Sequence, residues 1–268
     1  MIVLKYALIT GGASGMGRSS AIKLAENGFH VFSCDIKLNK EEVDNITQIV
    51  MDVTDYKSIE NAYLEITKIT NKLDVIINFA GIIMMNSLIE INEEDFTKIY
   101  NINVFGAYRV NKIFFNMIKE GKGRIINTTS ELAPNKILPF NAIYSISKKA
   151  SDAYSQGLTM ELGLLDIPVI TLRPGAVKTP LLIDSDREMK ELNENTELYK
   201  NTITKFKHIV DKEQGSGIDP NNVANLVYKI INKKNPKHIY SINVSLKLKL
   251  LSMLPAKVQI KLFKWILK

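Results

Sequence analysis

The chain has 268 residues, of which 46% are hydrophobic, and its formal net charge is +7. A chain of this length and composition can build one large core. Because Cys34 is the single cysteine, no intramolecular disulfide can form, which fits a reducing compartment. The three histidines, His30, His208 and His238, are too far apart in the sequence to predict a metal site. The positive charge alone does not indicate a nucleic-acid partner, because the aromatic residues are not interleaved with the basic ones.

The N-terminal apolar run is short and has no basic leader, so it does not predict a signal peptide. No apolar run reaches the length of about 18 residues that a transmembrane helix needs. We therefore expect a cytoplasmic protein.

Strand and helix patterns alternate along the chain. Strands are predicted at 2–9, 30–35, 47–53, 73–81, 123–130 and 167–175, and helices at 16–27, 55–71, 92–120, 142–163 and 219–234, with 39–46 as a short helix or a loop. Continuous apolar strands between helices are typical of a parallel sheet with helices on both faces. The pattern therefore predicts an α/β fold with one doubly wound parallel sheet of the Rossmann type.

No linker or internal repeat divides the chain, so residues 1–244 are predicted to form one domain. Within this domain, residues 181–217 are polar, charged and weakly periodic. An insert of this length in a compact domain favours a functional lid. Residues 245–268 form a basic, amphipathic C-terminal tail.

The sequence TGGASGMG, residues 10–17, joins the first predicted strand to the first predicted helix. A glycine turn at a helix N-terminus can bind phosphate through backbone N–H groups and the helix dipole. In such a site Gly11 forms the turn, Gly15 lets the ligand approach the backbone, and Gly17 lets the helix pack on the strand. A glycine turn that binds no ligand is the alternative.

Asp35 ends the second predicted strand and supports the nucleotide interpretation. A carboxylate at this place can accept a hydrogen bond from a ribose 2′-hydroxyl and repel a 2′-phosphate. The placement favours NAD over NADP, and an exposed strand-end acid is the alternative. Lys37 leaves NADP open, because its side chain could serve a 2′-phosphate.

Tyr144 and Lys148 are four residues apart on a predicted helix and therefore share one face. A tyrosine has a pKa of about 10, and a nearby ammonium together with the positive nicotinamide ring lowers the pKa of the phenol. Tyr144 could then exchange a proton with an alcohol or a carbonyl, while Lys148 donates to ribose hydroxyls. Ser130, at the end of the fifth predicted strand, could position the substrate oxygen, and Thr129 is its rival. By itself, the tyrosine–lysine pair could be an ordinary surface pair.

Four motifs together resemble the short-chain dehydrogenase/reductase family, in the same order and on the expected elements. They are TGGASGMG, NFAG at 78–81, YSISK at 144–148 and RPGAVKTP at 173–180. The resemblance extends from about residue 3 to about residue 240. It departs from the usual pattern at Phe79, where asparagine is more common, and in a Ser130–Tyr144 spacing that is one residue longer.

The resemblance implies a set of site residues, each by its match to a family motif. The catalytic set is Asn103, Ser130, Tyr144 and Lys148, where Asn103 would hold a water that continues the proton relay. The cofactor set is Gly11, Ser14, Gly15, Met16, Gly17, Asp35, Asp52, Val53, Asn78, Ala80, Gly81, Tyr144, Lys148, Pro174, Gly175, Val177 and Thr179. From sequence alone Asn103 could instead be an exposed helical residue, and Asn78 could cap a strand.

The substrate pocket is expected to follow Ser130, to lie near Tyr144 and to include the predicted lid. The candidate wall residues are Leu132, Ile137, Leu138, Phe140, Leu181 and Leu182. Their apolar character favours a lipophilic alcohol or ketone, such as a steroid, a retinoid or a long-chain compound. Ordinary packing of apolar loop residues is the alternative.

The tail has apolar and basic residues at helical spacing. Val258, Leu262, Trp265 and Ile266 can share one stripe, with Lys257, Lys261, Lys264 and Lys268 mainly on the other side. Such a helix can lie in a membrane interface, or it can pack on the core or on a second subunit. Both alternatives stay open.

We therefore expect an NAD(H)-dependent oxidoreductase that interconverts an alcohol and a ketone or aldehyde, and that forms a homo-oligomer, either a dimer or a tetramer. An NADPH-dependent carbonyl reductase is the rival within the enzymes. A nucleotide-binding redox sensor without turnover is the rival of another class. The complete set of proton-relay residues argues against the sensor, because binding alone needs no relay.

Overall fold

The strand order of the central sheet determines where the loops of this chain converge. A computed structural model describes residues 4–214 and 217–267, with the backbone alone from 209 to 214. Among these residues, the strands are β1 Lys5–Thr10, β2 Phe29–Asp35, β3 Ile46–Val50, β4 Val75–Asn78, β5 Arg124–Thr128, β6 Val169–Pro174 and β7 Ile239–Ile242. They form one parallel sheet in the order β3-β2-β1-β4-β5-β6-β7. The strand order reverses between β1 and β4, and ligands of open α/β sheets bind at this switch point.

Helices surround the sheet, and one segment is π-helical. They are α1 Gly15–Ala25, α2 Tyr56–Thr67, α3 Glu93–Tyr100, α4 Ala107–Ile113, α5 Phe115–Glu120, α6 Ala142–Gly163, α7 Pro180–Asn195, α8 Lys200–Gln214, α9 Pro220–Ile231, α10 Leu246–Met253 and α11 Ala256–Leu267. The π-helical segment, Asn101–Gly106, lies between α3 and α4. Asn92 caps α3 by accepting a hydrogen bond from the Asp95 N–H.

Two hydrophobic cores lie on opposite faces of the sheet. Successive strand residues point to opposite faces, so Leu8 packs in one core, and Ala7 and Ile9 pack in the other. Helices α2, α4, α5 and α6 contribute to the first core, and α1 and α9 contribute to the second. This two-sided burial confirms the predicted doubly wound α/β fold.

The element boundaries differ from the sequence prediction in several places. The predicted first strand begins at Lys5 in the structure, and its residues 2–3 lie outside the described residues. No helix forms at residues 39–46. β7 was not predicted, because its four residues are too few to give a clear alternating pattern.

The predicted helix 92–120 is interrupted twice. The π-helical segment breaks its regular repeat, and Phe114 leaves the helical region of the backbone at ψ +5°. The Phe114 side chain is fully buried, and its ring lies 5.5 Å from that of Tyr63. The break at Phe114 thus accompanies its insertion into the core.

The predicted lid and the tail pack on each other. Residues 181–217 contain most of α7 and α8, although residues 215–216 lie outside the described part of the chain. Met189, Phe206 and Leu267, from α7, α8 and α11 respectively, belong to one buried cluster. The tail therefore packs on its own chain, and only its last residue, Lys268, is outside the description. None of the described helices has both the length and the apolar character needed to cross a bilayer.

Replacing Phe114 tests the packing of the first core. We expect Phe114→Ala to lower the free energy of unfolding by about 3–5 kcal/mol, because it removes a fully buried ring and leaves a cavity. Urea unfolding followed by circular dichroism measures the change. Leu64→Ala, at a side chain that is 56% exposed, is the matched control and should change the free energy by less than about 1 kcal/mol. Equal losses in the two variants would contradict this packing.

Candidate active site

The turn between β1 and α1 has a shape that only glycine fits. Gly11 and Gly15 have φ angles of +68° and +52°, a region that residues with a Cβ atom rarely adopt. A Cβ atom on Gly11 would lie 2.9 Å from the backbone nitrogen of Ala80, and one on Gly15 would lie 2.9 Å from Thr179 Cγ2. A Cβ atom on Gly17 would collide with the Gly11 carbonyl oxygen. These glycines therefore bring the helix N-terminus against the loops that follow β4 and β6.

A crevice of about 1190 Å³ opens at the carboxyl ends of β1 to β4. Most of the residues predicted for the cofactor line it: Gly11, Ser14, Gly15, Met16, Gly17, Asp35, Asp52, Val53, Ala80, Gly81 and Thr179. A crevice at the switch point, with a helix N-terminus and a strand-end acid in its wall, fits the phosphates and the ribose of a dinucleotide.

The crevice contains polar groups that are suited to a ribose. The Asp35 carboxylate is oriented by the Ala13 N–H, which donates to its Oδ2 at 3.1 Å. Lys37 lines the same crevice and is exposed. The Ser14 side chain makes no capping bond at the start of α1. The wall of the crevice thus contains both candidates for ribose recognition that the sequence offers, Asp35 and Lys37.

Six of the predicted cofactor residues do not line this crevice, and two of these, Tyr144 and Lys148, also belong to the catalytic set described below. The Asn78 amide nitrogen donates to Asn111 Oδ1 at 2.8 Å and to Asn127 Oδ1 at 2.9 Å. Both of its hydrogens are therefore engaged in a buried amide cluster. In this structure the Asn78 side chain therefore joins β4, α4 and β5, and its assignment to the cofactor stays a prediction.

The other three residues, Pro174, Gly175 and Val177, lie at the end of β6 and in the loop after it. Gly175 donates its N–H to the Ile242 carbonyl at 2.9 Å, directly after Pro174. The Val177 side chain is buried in the second core, and its backbone bridges to Ile218. These residues position the loop that carries Thr179 into the crevice, and their side chains lie outside its wall.

Ser130, Tyr144 and Lys148 converge, as the sequence predicts. Ser130 follows β5, and its hydroxyl is near enough to the Tyr144 phenol to lower the pKa of the phenol. The Leu132 N–H donates to Ser130 Oγ at 3.2 Å and thereby orients that hydroxyl. Lys148 Nζ lies 5.8 Å from the centroid of the Tyr144 ring, one helical turn further along α6. All three side chains are buried, with exposures of 6%, 7% and 6% for Ser130, Tyr144 and Lys148.

Burial controls the ionisation of the phenol and the amine. It raises the pKa of Tyr144 to about 12, although the Ser130 hydroxyl opposes the shift and the Glu131 carboxylate adds to it. Burial also lowers the pKa of Lys148 to about 8. The sequence predicts that the ammonium and the nicotinamide ring together lower the pKa of the phenol; in the protein alone, removal from water has the largest effect. At neutral pH the phenol is therefore protonated and can donate a proton.

Asn103 occupies the π-helical segment and is buried, so the alternative of an exposed helical residue is wrong. Its Nδ2 donates to the Ile82 carbonyl at 2.9 Å and to Ser147 Oγ at 3.0 Å, and its Oδ1 accepts from the Ile82 N–H at 2.8 Å. A Cβ atom on Gly81 would lie 3.0 Å from Asn103 Oδ1 and 3.3 Å from Lys148 Nζ. The catalytic set thus adjoins the crevice wall at Gly81.

Comparisons with known proteins agree with this geometry. A sequence profile of the short chain dehydrogenases matches residues 5–190 of this chain.

The chain belongs to the short-chain dehydrogenase family.

It is 31% identical to 3-ketodihydrosphingosine reductase of Bacteroides thetaiotaomicron, over 85% of this chain and 84% of that protein. It is 34% identical to NADPH-dependent 1-acyldihydroxyacetone phosphate reductase of Schizosaccharomyces pombe, over 66% of this chain and 61% of that protein. The solved structure of ElxO with NADP bound superposes with a TM-score of 0.70 at 26% identity, covering 89% of this chain and 96% of ElxO. The chain is therefore an oxidoreductase of this family with a nucleotide-binding Rossmann fold, as the sequence predicts.

Behind the short-chain dehydrogenase site lies an ion pair that the sequence analysis missed. Asp152, two turns after Tyr144 on α6, accepts from Arg173 Nε at 2.8 Å and from Arg173 Nη2 at 2.7 Å. Thr129 Oγ1 also donates to Asp152, at 3.0 Å, so its hydroxyl hydrogen is engaged there, whereas the Ser130 hydroxyl acts on the phenol. The sequence did contain a signal for Asp152, because its spacing from Tyr144 places both residues on one face of the predicted helix.

The residues predicted for the substrate pocket separate into three places. Leu181 lines the crevice, and Leu182 is half-buried at the start of α7. Leu132 and Leu138 line a narrow gap beneath α10, and Leu132 also packs on the cluster that contains Tyr144.

Phe140 is placed differently from the prediction of a pocket wall. It lies in the buried cluster of α7, α8 and α11, with its ring 5.1 Å from that of Tyr199 and 5.3 Å from that of Phe206. Leu138 and Phe140 therefore pack helices on the core in this structure, because α10 and α11 cover the loop that carries them. Ile137, on the same loop, remains 40% exposed.

The buried Lys148 gives a prediction about stability and pH. Its folded pKa of about 8 lies below the usual 10.5, so its burial opposes folding fully below pH 8, and this cost disappears as the pH rises to 10.5. We expect Lys148→Met to raise the free energy of unfolding at pH 7 by about 3 kcal/mol, and this gain to fade between pH 8 and 10.5. Urea unfolding at several pH values measures it.

Lys68→Met, at an exposed position, is the matched control and should change the free energy by less than about 0.5 kcal/mol at each pH. A loss of stability in Lys148→Met at pH 7, or a gain that persists above pH 10.5, would contradict the burial of a charged amine.

Proposed function

We propose that this chain interconverts an alcohol and a ketone or aldehyde, with NAD(H) as cofactor and a lipophilic small molecule as substrate. The observation that carries the proposal is the convergence of the Ser130 hydroxyl, the Tyr144 phenol and the Lys148 amine beside a crevice that fits a dinucleotide. A protein that only binds a nucleotide would not need a buried phenol with an oriented hydroxyl next to it.

The glycine turn and the start of α1 would hold the pyrophosphate, and Asp35 would accept a hydrogen bond from the adenosine ribose. Asp52 and Val53 would border the adenine, and Lys148 would donate to the ribose next to the nicotinamide. The nicotinamide, when bound, supplies or accepts the hydride. Thr179 would contact the nicotinamide amide from the loop after β6.

In carbonyl reduction, Tyr144 donates its phenolic proton to the substrate oxygen, because its pKa of about 12 keeps it protonated. Ser130 donates a hydrogen bond to the same oxygen and positions it. The Lys148 ammonium stabilises the phenolate that remains. Asn103, fixed by Ile82 and Ser147, holds the water from which the proton is replaced.

Asp35 supports the preference for NAD, because its carboxylate would repel a 2′-phosphate. Lys37 and the fission yeast relative, whose name includes NADPH, favour the alternative of an NADPH-dependent carbonyl reductase. A measurement of cofactor preference therefore distinguishes the two proposals.

A lipophilic substrate is supported by the apolar residues beside the site and by the names of the relatives. Met84, Ile143 and Leu132 pack around Tyr144, and Leu181 lines the crevice. The two relatives are named for 3-ketodihydrosphingosine and for 1-acyldihydroxyacetone phosphate, and the second name includes an acyl group. In this proposal α7 and α8 act as the lid over the substrate.

We also propose a cytoplasmic homo-oligomer whose tail can touch a membrane. Met160, on α6, and Leu164, directly after it, are 76% and 86% exposed, which supports a dimer or tetramer that covers them. The buried thiol of Cys34 is consistent with a reducing compartment. Trp265, 81% exposed on the basic tail, supports membrane contact.

The role of the phenol is tested by Tyr144→Phe. We expect kcat to fall by about 10²–10⁴-fold, because the variant lacks the proton donor, while the Kd for NADH stays within about twofold. Absorbance at the NADH band measures turnover, and fluorescence titration measures binding. Tyr154→Phe removes a phenol from the same helix and should keep its activity. Turnover at the wild-type rate in Tyr144→Phe would refute the assigned role.

The role of Asp35 is tested by Asp35→Ala. We expect the Kd for NAD to rise about tenfold, through loss of a hydrogen bond to a charged acceptor, and the preference for NAD over NADP to shrink. Steady-state assays with both cofactors give the ratio of the two kcat/KM values. Asp44→Ala, which removes an exposed acid outside the crevice, is the control of equal charge. An unchanged cofactor ratio in Asp35→Ala would count against the ribose contact.

A further inference from the structure

Helix α10 has an apolar face that the described part of the chain does not cover. Leu246, Leu250 and Met253 follow each other at helical spacing and are 68%, 56% and 72% exposed. On the opposite side, Leu248 and Leu251 face the gap above Leu132 and Leu138. The exposed face is therefore not a packing face of the fold, and an exposed apolar stripe of this kind indicates a partner.

Basic residues border this face and continue along α11. Residues 245–268 contain no aspartate or glutamate. On α11 the exposed side chains include Trp265, Lys257, Lys261 and Lys264, whereas Gln259 and Leu267 point into the protein. The sequence predicts one apolar stripe, on α11, but Leu262 of that stripe is half-buried, and exposed apolar residues lie on α10 as well as on α11.

The two helices are held firmly to the protein, so their outer faces keep this arrangement. Gln259 Nε2 donates to the Leu251 carbonyl at 2.7 Å and to the Leu254 carbonyl at 3.1 Å. The Ser245 N–H donates to Glu131 Oε2 at 2.6 Å, and Ser252 Oγ bonds to Asn135 Oδ1 at 3.2 Å. Because these bonds hold the two helices in place, their outer surface does not need to fold when it binds a partner.

We propose that the outer faces of α10 and α11 form a docking surface for an anionic lipid bilayer. Apolar side chains flanked by lysines match an interface in which acyl chains lie beneath negative headgroups. An exposed tryptophan is typical of the level of the headgroups. A second copy of the chain is a poorer fit, because a twofold contact through this face would bring its lysines against one another.

The docking surface is next to the proposed reaction site. Glu131, which receives the bond from Ser245, directly follows Ser130, and Leu132 packs both beneath α10 and in the cluster of Tyr144. Docking would therefore bring the loop after Ser130 close to the headgroups. The further step, that a lipophilic substrate reaches the site from the bilayer, rests on the proposed function, whereas docking itself does not.

Co-sedimentation of the full chain with vesicles tests the docking surface. We expect binding to vesicles of phosphatidylcholine mixed with phosphatidylglycerol, weakened by high salt, and much weaker binding to phosphatidylcholine alone. Leu246→Ser/Met253→Ser should lower the partition coefficient about tenfold or more. The matched control is Ile89→Ser/Leu198→Ser, at residues 77% and 65% exposed outside the tail, and it should bind as the wild type does.

A lysine variant keeps the test independent of the apolar residues. Lys249→Gln/Lys257→Gln/Lys261→Gln/Lys264→Gln should lower binding to the anionic vesicles about a hundredfold or more, because each lysine near such a surface contributes about fivefold. Circular dichroism confirms that each variant is folded. Because vesicle binding is measured without turnover, its result is separate from the success or failure of the proposed reaction.

Two results would overturn the proposal. The first is that the wild-type protein stays in the supernatant with both kinds of vesicle, or that it binds both kinds equally. The other is an oligomer, seen by light scattering, that Leu246→Ser/Met253→Ser dissociates while vesicle binding is absent, since a second copy would then cover the apolar face.

Discussion

The site depends on the approach of the Ser130 hydroxyl to the Tyr144 phenol, at a place where water is largely excluded. This approach requires the end of β5 to meet the start of α6. Asp152 holds the two together, because it accepts from Arg173 at the end of β6 and from Thr129 beside Ser130. A buried carboxylate is costly unless its oxygens are satisfied, and here Gln156 adds a further bond at 2.6 Å. The ion pair therefore positions the catalytic set.

Burial then decides the chemical state of the two titratable groups. It opposes any charge, so it moves the pKa of Tyr144 upward to about 12 and the pKa of Lys148 downward to about 8. The phenol stays neutral across the physiological range, and the amine, which is mostly charged at neutral pH, loses its proton first. This desolvation lowers the stability of the folded protein. It also keeps the phenol protonated, so that a proton donor lies beside the place where a carbonyl oxygen would lie. Stability and function oppose each other at Lys148.

The sequence predicted the sheet, the glycine turn and the catalytic set, because each has a local signal: apolar runs, glycines at fixed spacing and a tyrosine–lysine pair on one helix face. It did not predict effects that arise only when distant segments meet. Asn78 turned out to bond to Asn111 and Asn127, and Phe140 packs under helices that are far from it in sequence. How strongly burial and nearby charges shift the pKa of Tyr144 also depends on the packing of distant segments, which no short sequence pattern indicates.

The measurement that tests the central claim most directly is a ¹³C NMR titration of the free protein labelled at tyrosine Cζ. The Tyr144 signal is assigned by its loss in Tyr144→Phe. A buried phenol beside Ser130 predicts titration near the pKa of about 12, well above the value of about 10 for a tyrosine in water. A Tyr144 signal that titrates at or below pH 10 would contradict the account, because the phenol would then be open to water or already paired with the lysine as a phenolate.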